Sequence, residues 1–390
     1  MFLSIKGLTM FCKFLTNTYH FTYDNVKPCC WIKHTPETQI KINDPDLTDK
    51  FKHIRQINDW TPECGYCYDL ESSGTASPRT LATKEDIFTD EDELGDAIKV
   101  ELQLDDDCNA ACLMCGTWNS TTWQQYETKT LKTKLPSYRW QTTVEERIEI
   151  VKNMIDFNMT KQVHFFGGEP FNGETQLKML RLMEHPENIK LVYTTNGSVF
   201  PSAETLELWK KFKNVHVGIS IDGIGEHFNY LRWPLQWHQV ENNLIKYINL
   251  NYDNVTINTS FTATPFNIWY IDKYTDWSIE FSKKYKSNKT DLTRWFLNPH
   301  PVVGDKMNMS CIPPGLEEAV IAKFGKDSRV AKLIMPFDVQ TCLHMINYTQ
   351  FHDRHRQTDW KETFPEIVDY FDMDILAPVR KNKVWEIKSI

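Results

Sequence analysis

The chain has 390 residues, with 52 acidic against 44 basic side chains and a formal net charge of −8; 41% of the residues are apolar and 13% aromatic. That composition excludes a disordered, collagen-like or small disulfide-stapled protein, and the length accommodates either one large domain with an appendage or two domains. The acidic balance disfavours broad binding to nucleic acid or an anionic membrane, which needs a basic footprint. No window approaches the roughly 20 consecutive apolar residues of a membrane helix, and Met1 to Gly7 lack the layout of a secretory signal. A cytoplasmic protein without membrane contact is the expectation.

Residues 1–80 hold short β-like runs punctuated by Cys, Pro and Gly. Thr22-Tyr23-Asp24-Asn25 is a turn signal ahead of Val26-Lys27-Pro28-Cys29-Cys30, which predicts a hairpin that presents thiols. The tract 72–96, rich in Ser, Thr and acids, reads as a crossing between two units, with the linker proper at 81–96. From Ala97 the texture is α/β. Strands are predicted at 98–104, 162–166, 191–194, 215–221, 255–261 and 294–297, with helices at 144–157, 174–183, 203–211, 240–250 and 268–281 between them. Ser202 is the N-cap expected for the helix at 203. Six strands alternating with helices imply a parallel sheet with right-handed crossovers. They are too few for a closed eight-stranded barrel, so the expected fold is an open, partial (β/α)6 barrel over 97–312, followed by a mainly helical extension over 313–390.

Eight of the ten cysteines fall into two clusters. In a reducing compartment such grouping serves metals or catalysis more often than disulfides. Cys108, Cys112 and Cys115 follow the first α/β strand directly, where such folds place active-site loops. Three soft ligands on a tight loop suit an iron–sulfur cluster with one iron left without a protein ligand; a three-cysteine zinc site or buried free thiols are the alternatives. Cys12, the vicinal pair Cys29-Cys30, Cys64 and Cys67 form the other cluster. Four thiolates from three short elements can ligate a second [4Fe-4S] cluster and staple a unit with little core of its own, or make a zinc knuckle.

Taken in chain order, Cys108, Cys112 and Cys115 after the first strand, Gly167-Gly168-Glu169-Pro170 after the second, Thr194-Thr195-Asn196-Gly197 after the third and Ser220-Ile221-Asp222-Gly223 after the fourth resemble the motifs of the radical S-adenosylmethionine (SAM) superfamily. The match runs from about Ala97 to Pro301. It implies a [4Fe-4S] cluster on the three cysteines whose open iron chelates the amino and carboxylate groups of SAM. An electron from that cluster then breaks a carbon–sulfur bond, giving a 5′-deoxyadenosyl radical that abstracts hydrogen from a substrate. The resemblance places Gly167, Gly168, Glu169 and Pro170 at the SAM ammonium and adds Thr195, Asn196, Ser220 and Asp222 to the cofactor site. Asn196 and Ser220 offer hydrogen bonds suited to ribose or carboxylate. Arg232 is a partner for the SAM carboxylate or a member of an ordinary ion pair. Met114 stands where the family often has an aromatic residue beside adenine, and its thioether can pack on a ring. The segment 259–267 shows no family glycine motif. Leu297 to Pro301 offers backbone contacts to adenine, with His300 facing substrate or serving packing.

The first cysteine cluster in the chain resembles the twitch domain, the shorter relative of the SPASM domain, although in most relatives that module follows the barrel. The family pattern favours Cys29 over Cys30 as the fourth ligand beside Cys12, Cys64 and Cys67. Four protein ligands leave that cluster no open iron, which points to electron transfer. The implied partners are SAM, a reducing electron donor and a peptide, protein or small-molecule substrate. Two other functions compete: a radical enzyme acting on RNA, disfavoured by charge, and a non-catalytic zinc or iron–sulfur protein. No substrate-side acid or base is assigned, although Asp105, Asp222, Glu226 and His300 fall near strand C-termini. Cys311 and Cys342 read as isolated thiols, and Phe351 to Arg356 as a solvated helix face or a contact for an anionic substrate.

Overall fold

The computed structural model describes residues 12–22, 24–33, 35, 38, 40–55, 62–72, 76–82, 84–89, 91–132, 142–285, 300–301 and 306–372. Its strands are β1 (Thr18–Thr22), β2 (Asn25–Lys27), β3 (Ile40–Lys41), β4 (Lys99–Gln103), β5 (Gln162–Phe165), β6 (Lys190–Thr195), β7 (Asn214–Ser220), β8 (Val255–Ser260), β9 (Thr262–Ala263) and β10 (His300–Pro301). The first eight make one sheet in the order β3-β2-β1-β4-β5-β6-β7-β8. From β4 to β8 every pairing is parallel, as the alternation of strand and helix predicts. The expected strand at 294–297 lies outside the described residues; just beyond it, β10 pairs in parallel with β9.

The amino-terminal hairpin forms where the turn signal places it, with Thr22 opposite Asn25. It does not stand apart from the barrel. β1 adds in parallel to the edge of β4, from Thr18 opposite Lys99 to Thr22 opposite Gln103, which satisfies backbone groups that an open edge would leave unpaired. Side chains reinforce the join: Tyr19 stacks on Phe51 with ring centroids 5.0 Å apart, and the Arg55 guanidinium lies 4.1 Å from the Tyr19 ring centre while donating to the Thr18 carbonyl at 3.0 Å. The crossing expected as a linker holds a short helix, Pro78–Ala82, and is tied down at its end by Gly95 N–H to the Thr16 carbonyl at 3.2 Å and by Lys161 to Asp92 at 2.8 Å.

Strand periodicity gives the two faces of the sheet different chemistry. The rows Val100-Val163-Leu191-Val215 and Leu102-Phe165-Tyr193-Val217 are buried on the outer face, beneath the crossover helices; full burial of one such side chain contributes about 1.5–3 kcal/mol. Alternate residues line the inner face: His20, Glu101, His164, Val192 and His216 form a continuous row across β1, β4, β5, β6 and β7. The row is buried at His20 and Glu101 and half-exposed from His164 onward, so the inner face opens toward solvent beyond the hairpin.

Caps explain the crossover helices. Thr143 and Glu146 form a reciprocal capping box before Val144–Met154, and Ser202 accepts from Thr205 N–H at 3.1 Å before Ala203–Trp209. The helices Thr175–Leu180, Trp237–Ile248 and Ile271–Tyr285 occupy the other expected places. Thr121–Leu131 and Glu226–Leu231 are helices not anticipated. The carboxy-terminal extension is helical at Pro314–Phe324, Val339–Arg356 and Trp360–Thr363. Its Phe364 is fully buried, stacked on Phe266 at 5.5 Å and edge-on to Tyr230 at 5.4 Å, which fastens the extension to the β7–β9 side. No helix among the described residues is long and apolar enough to cross a membrane.

Candidate active site

The loop carrying Cys108, Cys112 and Cys115 leaves β4 at its carboxy-terminal end and is anchored through several of its carbonyls. Ser120, the N-cap of helix Thr121–Leu131, accepts from Trp123 N–H at 3.1 Å and donates to the Ala110 carbonyl at 2.5 Å. Trp123 Nε1–H donates to the Cys112 carbonyl at 2.9 Å, and Thr122 Oγ1–H to that of Cys108 at 2.6 Å. Two main-chain bonds dock the loop on the segment after Glu226–Leu231: Ala111 N–H to Trp233 O and Leu113 N–H to Leu231 O, both 2.7 Å. The thiols therefore sit on fixed backbone, as pre-organised ligands require.

Around that loop the structure collects most of the expected cofactor residues. Gly167 and Gly168 have φ of +76° and +53°, and a Cβ on Gly168 would stand 2.6 Å from the Asp107 carbonyl, so only glycine lets this turn press against the cysteine loop. Glu169 N–H then donates to Asp107 O at 2.7 Å. The Glu169 carboxylate accepts from Thr195 Oγ1–H at 2.6 Å and from Asn196 N–H at 2.7 Å, joining the ends of β5 and β6. Asn196 Nδ2 donates to Asn109 Oδ1 at 2.9 Å and lies 4.0 Å from Cys108 Sγ. Pro170 and Met114 are half-buried, and Ser220 stands half-buried at the end of β7.

Arg232 and Asp222 are both buried and form an ion pair at 2.6 Å, with Arg232 Nη1 3.9 Å from Cys112 Sγ. Burial lowers the Arg232 pKa, but Asp222 and Cys112 outweigh it and the net shift is upward. The ion-pair alternative for Arg232 is thus realised within the site itself. Glu226 begins the helix Glu226–Leu231, and Asp105, half-buried, has its pKa raised by the loss of water around it. For His300 the structure describes backbone pairing alone, opposite Thr262.

Burial raises the pKa of all three loop thiols, Cys115 to about 12, and neighbouring cysteines add to the effect at Cys108 and Cys115. Crowded thiols in apolar surroundings resist ionisation, and bound iron relieves that resistance by compensating the thiolate charge. Arg232 beside Cys112 acts in the same direction. Among the described residues, no three of these sulfurs fall within 4.8 Å of one another. A tetrahedral zinc site with Zn–S near 2.3 Å needs sulfurs roughly 3.8 Å apart, whereas cluster ligands attach to separate irons and stand wider. The donor set fits a cluster.

Burial also lifts Glu169 to about 7 despite its hydrogen-bond donors. Between roughly pH 4.5 and 7 the folded chain holds a proton there that the unfolded chain has lost, so this group makes stability fall as pH rises through that window, by up to about 3 kcal/mol in all. Glu169→Gln is expected to be less stable than the parent at pH 5, with the gap narrowing toward pH 8 in urea unfolding. A pH-independent gap would refute the assignment.

A second set of thiols meets at the sheet's other end. Cys12 precedes the helix Lys13–Asn17, Cys29 follows β2, Cys64 closes the turn Pro62–Cys64 and Cys67 lies in the helix Gly65–Ser72. All four line one small cavity with Ile32 and Arg79. Burial, then Cys29, Cys67 and Cys64, push the Cys12 thiol up to about 12. Arg79, held bidentately by Glu71, supplies a cation beside Cys12 and Cys67. Cys30 is not part of that lining.

Sequence reasoning missed the contribution of the carboxy-terminal extension. His352, Asp353 and Arg356 are buried, not solvated. The Arg356 guanidinium lies 4.7 Å from the Trp123 ring centre and 5.0 Å from those of Tyr126 and Trp233, while His352 Nδ1 meets Tyr126 Oη at 2.9 Å. Such a stacked cation braces the helix that follows the cysteine loop. The i,i+4 spacing of His352 and Arg356 puts both on one helix face, but nothing local marks that face as buried. Cys311 and Cys342 are both buried.

Residues 104–280 match the model of the Radical SAM superfamily. No curated protein shows significant similarity to the chain. Among solved structures it is similar to native anSMEcpe with bound AdoMet, at 16% identity over 59% of this chain and 60% of that one, with a TM-score of 0.38. It is also similar to Streptococcus suis SuiB bound to precursor peptide SuiA, at 13% identity over 84% and 71% with a TM-score of 0.36. A third is coproporphyrinogen III oxidase (HemN) from Escherichia coli, a radical SAM enzyme, at 12% identity over 66% and 51% with a TM-score of 0.32. The chain spans about 60% of the length of the first of these. The sequence match to the radical SAM superfamily thus runs from the end of β4 through the cysteine loop and strands β5 to β8.

Proposed function

We propose that the chain is a cytoplasmic radical SAM enzyme that holds two [4Fe-4S] clusters and abstracts hydrogen from a peptide, protein or small-molecule substrate. Cys108, Cys112 and Cys115 hold the SAM-binding cluster; Cys12, Cys29, Cys64 and Cys67 hold an auxiliary one in a twitch-like unit. When bound, the first cluster and SAM supply the radical. The chain's own residues orient them: the Gly167–Pro170 turn offers backbone to the SAM ammonium, Asn196 and Ser220 offer hydrogen bonds, and Met114 packs beside adenine. Arg232, already paired with Asp222, sets the charge beside Cys112. The half-exposed inner face from His164 to His216 gives a polar substrate a place to sit. Held by four protein thiolates and so without an open iron, a cluster on Cys12, Cys29, Cys64 and Cys67 would supply an acceptor for the electron left when the substrate radical is oxidised.

The observation that carries this reading is the meeting of four thiols around one cavity in a chain whose other three clustered thiols lie within the residues that match the radical SAM family model. Protein purified and reconstituted without oxygen is expected to hold about eight irons and eight sulfides per chain, and to form 5′-deoxyadenosine from SAM under strong reduction. About four irons with one zinc would retain the radical core and make the cysteine cavity a zinc knuckle. Zinc without iron would leave a structural metalloprotein.

A further inference from the structure

We propose that His20, Cys30 and Glu101 form a separate site for one divalent ion, zinc by the chemistry of its donors, which fastens the Cys29–Cys30 turn to the core sheet. The inference rests on the assignment of Cys29, not Cys30, to the auxiliary cluster.

Among the described residues, this is the trio of Cys, His, Asp or Glu side chains whose ligand atoms all lie within 4.8 Å of one another. His20 Nδ1 and Glu101 Oε2 are 2.8 Å apart. Bonds of about 2.0 to 2.3 Å put tetrahedral ligand atoms roughly 3.3 to 3.8 Å apart, so closing around an ion takes about an ångström of side-chain movement. The scaffold is rigid where it matters: His20 on β1 and Glu101 on β4 are paired in register and both buried, and Cys30 arrives three residues after β2. Imidazole, thiolate and carboxylate together favour zinc over hard cations.

The surroundings hold charges of both signs. Lys99 and His164 approach the other carboxylate oxygen, Glu101 Oε1, at 3.6 and 3.9 Å, leaving Oε2 for the ion. Lys99 is also 3.6 Å from Glu85, which offsets it. Lys27, buried, donates its ammonium to the Cys30 carbonyl at 3.3 Å and is a second cation near Cys30 and Glu101. Carboxylate and thiolate then neutralise the dication. Cys30 releases its thiol proton to solvent as the metal–sulfur bond forms, with no change of oxidation state.

The test is zinc and iron per chain on full-length protein prepared without oxygen, for the parent, Cys30→Ser and Cys29→Ser. Zinc is expected to fall from about one per chain to below about 0.1 in Cys30→Ser with iron unchanged, and iron to fall by about four in Cys29→Ser. Cobalt added to zinc-stripped parent should show a thiolate-to-cobalt absorption band that Cys30→Ser lacks, a readout independent of whether the variant retains zinc through purification. Loss of about four irons from Cys30→Ser, with none from Cys29→Ser, would make Cys30 the cluster ligand and overturn the inference while sparing the two-cluster reading. A parent with no Cys30-dependent zinc and no cobalt band would leave His20 and Glu101 a hydrogen-bonded pair and overturn it too. If the parent holds only about four irons, a zinc lost in Cys30→Ser but kept in Cys29→Ser and in Cys64→Ser would end the auxiliary-cluster reading and leave this site standing. A zinc lost in Cys30→Ser and Cys64→Ser alike would be a knuckle in the cysteine cavity and overturn the inference.

Discussion

Replacing Cys108, Cys112 and Cys115 together by Ala is expected to abolish SAM cleavage and to lower iron from about eight to about four per chain, with the auxiliary cluster still loaded. The selectivity follows from the architecture. The three thiols sit on a loop held by its own caps and by bonds to Leu231 and Trp233, whereas the other four sit on elements around the hairpin at the opposite flank of β4. Trp123, Ser120 and the ring stack under Arg356 remain to keep the loop backbone in place. Residual 5′-deoxyadenosine with the cluster absent, or simultaneous loss of all iron, would contradict this separation.

Replacing Cys64 and Cys67 together by Ser is expected to do the converse: about four irons lost, 5′-deoxyadenosine still produced under reduction, and product formation stopped. The two residues lie in a turn, Pro62–Cys64, and the helix that follows it, Gly65–Ser72, in neither of which a side chain is buried. Without a bound group the order of this segment should therefore also suffer, seen as earlier proteolysis within 62–72. β1 is bonded along its length to β4, and the core sheet should survive. Normal product formation with the second cluster missing would end its role as electron acceptor. Loss of SAM cleavage as well would show that the two sites depend on one another structurally.

Some of this protein was legible residue by residue. The parallel strands from β4 to β8 follow from alternation of apolar runs with capped helical patterns, and Ser202 caps its helix because a local hydroxyl can satisfy a nearby N–H without help from the rest of the fold. The spacing of Cys108, Cys112 and Cys115 and the Gly167-Gly168-Glu169-Pro170 turn were legible for the same reason: tight loops at strand ends are short-range objects. Their positive φ values are a property of the turn itself.

Other features depend on which surfaces meet. Sequence texture suggested a module, a linker and a barrel, yet β1 completes the edge of β4, a pairing across about 80 residues that no local pattern encodes. Burial of His352 and Arg356 against Trp123 and Tyr126 is likewise settled by a helix more than 200 residues from the cysteine loop. Cys29 and Cys30 are chemically identical neighbours in sequence. Only the folded chain places Cys29 in the cavity with Cys12, Cys64 and Cys67 and Cys30 beside His20 and Glu101, because those partners arrive from separate segments of the chain. By itself, then, the sequence determined the strand-and-helix order, the cysteine spacing and the turn chemistry, all set by interactions within a few residues. Tertiary structure alone decided the sheet edge, the burial of the carboxy-terminal helix and the partition of the vicinal thiols, since each depends on contacts between segments far apart in the chain.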